Sequence, residues 1–298
     1  MTVFPKNLLV YKAREGFLIT ETDLKNKLCD FAFVECGPQD KAKMGWTPPF
    51  GIGGVYHSHG GQNFLLKYCK QERKVNSKAF KKLFDDSVDS IEASEGRPLN
   101  KKEKDNIKDD LLIDILPTTL PQDEYIHVFI IESGQFIAID ASSTGKAETV
   151  IALLRKSLGS LPVVPLTGER PADMVITDWI RSGQTPDGIC LGDSAKLQSV
   201  LEDGPKIGIK QAELTSDEVL THIDHNAMVK EVGIDFQDRI AFSLTDDLEL
   251  KKLKFSDEIK DQNDDIPRED KLARFDADLS LVFGEVKSVI EFLTQSFK

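Results

Sequence analysis

The chain has 298 residues, a formal net charge of -12, 40% hydrophobic residues and 30% charged residues. These values exclude a disordered or low-complexity polypeptide, and the length admits about two or three subdomains. Four cysteines without a CxxC pair and five dispersed histidines exclude a disulfide framework and a zinc module.

The opening MTVFPKNLLVYKAREGFL lacks the charged, apolar and small-residue succession of a signal peptide, and no apolar run reaches membrane-spanning length. A cytoplasmic protein without membrane attachment is expected. Residues 7–12 and 16–20 read as strands, followed by a short helix over 23–30 with Leu24 and Leu28 on one face. The GIGG run at 51–54 reads as a tight turn, because Tyr56 stands where a dinucleotide fingerprint needs its last glycine. His57 and His59 would share one face of a strand, as two metal ligands could. No Cys or carboxylate completes the pair at customary spacing, and the same holds for His222 and His225, so no metal or cofactor is expected.

Residues 64–75 read as an extended segment, and here the cations gather. Lys67, Lys70, Arg73, Lys74, Lys78, Lys81 and Lys82 face a single acid, Glu72, between positions 67 and 82. An acidic chain repels a polyanion at long range, so a nucleic-acid site must collect its minority cations in one place. From Ser77, read as an N-cap, the period becomes helical: Phe80, Leu83, Phe84, Val88 and Ile91 recur on one face. Gly96 and Pro98 interrupt the chain. Asn100 then caps a second helix running to about Leu116, with Ile107, Leu111, Leu112 and Ile115 as its stripe and Pro117 as its stop. This helical hairpin adds Arg97, Lys101, Lys102, Lys104 and Lys108 to the cations. Two helices alone cannot bury both stripes, so the hairpin must pack on the body or on a second copy of the chain.

Residues 125–131 and 135–141 have the spacing of a β-hairpin, and Thr144 opens a helix that Gly159 ends. The Gly145–Lys146 dipeptide is no phosphate loop, since Asp140 occupies the upstream glycine position and Ala147 replaces the magnesium-holding hydroxyl. The proline-bounded segment 161–171 is the expected domain boundary. Beyond it, helices are expected at 216–223, 269–275 and 281–297, with strands at 229–236 and 239–244. Positions 246–278 hold twelve carboxylates and seven cations, a surface that would point away from DNA. The segment DEIKDQNDDIPRED resembles a nuclease cluster in composition only.

Longer strings carry a family resemblance. QDKAKMGWTPP (39–49), KKEKDNIKDDLL (101–112), ALLRKSLGSLPVVPL (152–166), LEDG (201–204), LTS (214–216), LKFSDEIKDQNDDIPRED (253–270) and RFDAD (274–278) stand in matching order along the whole chain. The sequence resembles the recombination-associated RdgC family of proteobacteria. The resemblance implies an α+β fold of mixed sheets with a protruding helical hairpin, forming a ring-shaped homodimer. It implies sequence-independent binding of double- and single-stranded DNA, association with the nucleoid, no enzymatic activity and restraint of RecA-dependent recombination. An acidic regulator that contacts RecA directly is the alternative. The corresponding division is 1–76 with 117–162 as a central α+β domain, 77–116 as a helical tip and 163–298 as a C-terminal base. The tip would meet its counterpart through Leu111, Leu112, Ile115 and Leu120. The resemblance implies an aromatic near position 120 in some relatives and a Lys-Gln pair just before LTS. Here Leu120 replaces the ring, and Lys210 and Gln211 are displaced by one residue, so both enter as candidate contacts only.

Overall fold

The computed structural model describes residues 3–201 and 204–298. Glu202 and Asp203 of the LEDG run lie outside the described residues. Among the described residues, twelve strands form two antiparallel sheets, of seven and five strands, accompanied by eight helices. In chain order the elements are β1 (Leu9–Ala13), α1 (Glu21–Lys27), β2 (Ala42–Thr47), β3 (Tyr56–His59), β4 (Asn63–Arg73), α2 (Ser77–Glu95) and α3 (Lys101–Ile115). There follow β5 (Pro121–Ile131), β6 (Phe136–Ile139), α4 (Thr144–Leu158), β7 (Val163–Pro165), α5 (Ala172–Ser182), β8 (Ile189–Ser199) and β9 (Lys206–Lys210). The chain closes with α6 (Asp217–Asp224), β10 (Ala227–Phe236), β11 (Ile240–Thr245), β12 (Leu250–Phe255), α7 (Asp257–Asp261) and α8 (Lys271–Ser296).

The chain divides into two compact units, one of residues 3–30, 48–67 and 126–298, the other of 31–47 and 68–125. This division does not follow the expected boundary at 161–171. Val163 to Pro165 instead pair with Ala13 to Tyr11, which adds β7 to the first sheet as an edge strand.

The larger unit contains most of the core. Its part of the first sheet runs β4-β5-β6-β1-β7, with β3 paired onto β4, and its second sheet runs β12-β11-β10-β8-β9. Trp179 of α5 packs 6.4 Å from Phe292 and 5.3 Å from Phe297, and Phe292 lies 5.4 Å from Phe236 of β10. Burying each such ring is worth roughly 1.5–3 kcal/mol, so this contact between two helices and a sheet organises the unit. Helix α8 is a single element rather than the two expected. Phe275, Leu279, Val282, Phe283, Val286, Val289, Ile290 and Leu293 keep one buried face throughout.

Two other expectations need correction. Residues 16–20 are not a strand: Phe17 N–H bonds the Arg14 carbonyl, Gly16 has φ +81°, and Thr20 caps α1. The N-cap of α2 is Asn76, whose side chain accepts from the N–H groups of Lys78 and Ala79, and Ser77 is the first helical residue. The hairpin of β5 and β6 forms as expected, its turn closed by positive φ at Glu132, Ser133 and Gly134.

In the smaller unit, the outer lengths of β4 and β5 share a sheet with β2. Gly45 of β2 is there because the backbone of the 31–33 segment crosses it. A Cβ at this position would stand 2.5 Å from Phe33 Cα and 2.6 Å from Phe33 N.

Candidate nucleic-acid interface

The structure divides the sequence cations into three groups. Lys67 is buried at 7% exposure in β4 and acts electrostatically on His127, so it cannot present its charge to a surface ligand. Strand β4 is covered on both faces along most of its length, which is why alternation did not expose every second cation.

A second group is held by partners within the chain. Lys70 pairs with Glu72 at 2.9 Å and draws that carboxyl below its ordinary range. The Arg73 guanidinium donates to the carbonyls of Thr119 and Gly37, tying two turns to the end of β4. Arg97 makes a forked contact to Glu103 at 2.7 and 3.1 Å and meets Glu95 at 2.8 Å. That guanidinium, with the Asn100 N–H, lowers the Glu103 carboxyl to about 2. Lys104 pairs with Glu92 at 3.0 Å.

The third group is exposed: Lys74, Lys78, Lys81, Lys82, Lys101, Lys102 and Lys108 have no carboxylate at ion-pair distance among the described residues. In the larger unit, Lys210 is likewise exposed at the end of β9, and Gln211 follows with φ +54°.

Helices α2 and α3 carry charge against their own dipoles. Lys78, Lys101 and Lys102 stand in first turns, where cations are unfavourable, while Glu95 and Asp114 stand in last turns. Each such placement costs about 0.3–1 kcal/mol near a helix end. Asn76 and Asn100 offset part of this by capping the N-termini, and Asn100 forms a capping box with Glu103. The two helices together are not a uniformly basic feature. Residues 83–115 contain ten carboxylates and five cations, so the exposed cations, Lys108 apart, lie toward the helix starts. A count of lysines alone conceals this balance.

The apolar stripes are only partly buried. Val88 is the only buried residue of α2, and α3 has none. Leu111, Leu112 and Ile115 are half-buried, and Leu120 is 83% exposed.

The pair His57 and His59 serves packing. His57 bonds Asp276 at 2.5 Å and meets Phe275 edge-on, while His59 stacks on Phe283, so β3 is fastened to α8 through the face that both residues share. His225 bonds the Thr221 carbonyl. Among the described residues no three His, Cys, Asp or Glu side chains converge in metal-holding geometry. Within the acidic 246–278 segment several carboxylates take local partners: Asp246 with Lys230, Asp257 with Lys260, Asp264 with Arg274. No helix among the described residues is long and apolar enough to cross a membrane.

Residues 3–298 match the family described as "Putative exonuclease, RdgC". A protein of Salmonella typhimurium named recombination-associated protein RdgC is 40% identical over 292 residues, covering 97% of this chain and 96% of its own. Its namesake in Edwardsiella ictaluri is 41% identical over 290 residues, covering 97% and 95%. The chain belongs to the RdgC family of recombination-associated proteins.

Proposed function

We propose that this protein is a non-enzymatic, sequence-independent DNA-binding protein that closes as a homodimer around DNA and restrains RecA-dependent recombination at the nucleoid. The observation that carries this reading is the exposed band of Lys74, Lys78, Lys81 and Lys82 in a chain of net charge -12, with no carboxylate at ion-pair distance among the described residues. Exposed lysines without a carboxylate at ion-pair distance gain little locally, and Lys78 also opposes a helix dipole, whereas a phosphate backbone offers all four counterion release. Lys101, Lys102 and Lys108 extend the set along α3, and Lys210 and Gln211 are candidate contacts of the larger unit. Such contacts position a strand without reading base edges, which suits binding that ignores sequence. The partly buried stripes of α2 and α3, a helical hairpin in this reading, together with exposed Leu120, support assembly through Leu111, Leu112, Ile115 and Leu120 with a second copy. Occupancy of DNA by a closed dimer would obstruct the growth of a RecA filament.

The family description favours a second reading, a nuclease. Incubation of end-labelled duplex and single strands with the protein and magnesium or manganese separates the two. Intact, shifted DNA is expected, and chelator-sensitive shortening would establish the nuclease instead. A third reading, in which acidic residues such as Asp261, Asp265 and Glu269 contact RecA directly, requires retention of RecA after nuclease treatment.

A further inference from the structure

We propose that Tyr125 is a stacking platform for the bases of single-stranded nucleic acid, a subsite that adds to phosphate binding by the exposed lysines and rests on the DNA-binding reading above. Among the described residues Tyr125 is the one Phe, Trp or Tyr side chain that is exposed, at 51%, every other such ring being buried or half-buried.

The ring is exposed but fixed. Its hydroxyl donates to Asp123 Oδ2 at 3.0 Å, and the other oxygen of Asp123 accepts from Gln71 Nε2 at 2.8 Å. Gln71 Oε1 in turn accepts from the Cys36 N–H at 2.6 Å. A relay of hydrogen bonds thus runs from the phenol tip across β5 and β4 to the 31–41 segment, all within the smaller unit. Partial burial and the Asp123 carboxylate push the phenol up to about 12, so the hydroxyl stays a donor at neutral pH. A ring anchored in this way loses little rotamer freedom when a planar partner settles on it.

The setting selects the partner. Asp123 and Glu124 flank the ring, but the same unit carries the exposed Lys74, Lys78, Lys81 and Lys82, which an occupant presenting both negative charge and flat apolar faces would engage. Single strands present base faces that a duplex keeps inside its stack, and aromatic stacking accepts any base. The ring therefore adds affinity for single strands without adding sequence preference.

The test compares wild type, Tyr125→Ala, Tyr125→Phe and Tyr125→Trp on a mixed-sequence single strand and on a duplex of equal length, at low and high salt. Tyr125→Ala is expected to weaken single-strand binding about ten-fold, at both salts, while duplex binding stays within about two-fold. The Phe and Trp variants, which keep a ring but lose the hydroxyl anchor, are expected to bind single strands more tightly than Tyr125→Ala and less tightly than the wild type. Photo-cross-linking of a 5-iododeoxyuridine strand should mark Tyr125 in the wild type. Single-strand affinity unchanged by Tyr125→Ala would overturn the proposal, as would equal losses on both substrates or a change in oligomeric state that places the ring in a protein interface. Failure of the wild type to bind either nucleic acid would instead overturn the DNA-binding reading itself.

Discussion

Lys104 of α3 meets Glu92 of α2 at 3.0 Å, and the same carboxylate accepts the Leu99 N–H at 2.8 Å. One acid thus secures both the connection between the helices and the first turn of the second. The cations that look equivalent in the sequence are therefore of two kinds, those that hold the helices together and those that face solvent.

This difference predicts separable phenotypes. Replacing Lys78, Lys81 and Lys82 together by Ala should weaken DNA binding and flatten the dependence of log K on log salt by roughly 0.7–0.9 for each phosphate that is no longer neutralised. Lys104→Met or Glu92→Gln should lower the thermal midpoint and leave that slope unchanged. Anisotropy titrations and thermal melts on the same variants check both halves.

Gly45→Ala should destabilise the protein by about 3 kcal/mol, the upper range for overpacking, because the added carbon meets the backbone of Phe33 rather than a side chain that can move. Chemical denaturation measures this. Wild-type stability in the variant would mean that the 31–33 segment shifts freely.

His127 is desolvated and lies near Lys67, which together lower its imidazole to about 4. The folded state therefore binds its proton less readily than the unfolded chain, whose value is near 6.5. The stabilisation is complete above about pH 6.5 and is lost as pH falls from there through about 4, amounting to about 3 kcal/mol. His127→Gln should flatten the stability profile in that window, and equal slopes for variant and wild type would remove this residue as a cause.

Much of the fold was legible because local signals agreed. Asn100 with Glu103, Gly96 in the left-handed region and the turn at 132–134 each fix an element boundary through backbone chemistry. Helix α8 reads as two in the sequence because Asp276, Asp278 and Ser280 interrupt its hydrophobic run. In the structure Asp276 takes His57 and Asp278 takes Asn263, while the buried face continues beneath them. The candidate site was legible only as composition. Burial of Lys67, the pairing of Lys104 with Glu92 across two helices, and the exposure of Tyr125 all depend on which strands and helices become neighbours. No window of sequence contains that information.

The central claim is tested most directly by anisotropy titrations of the full-length protein against labelled duplexes of unrelated sequence across a range of salt concentrations. The account predicts that log K falls linearly with log salt, with the same slope and nearly the same affinity for every sequence. Affinity that tracks sequence, that is indifferent to salt, or that is absent at low salt would contradict it.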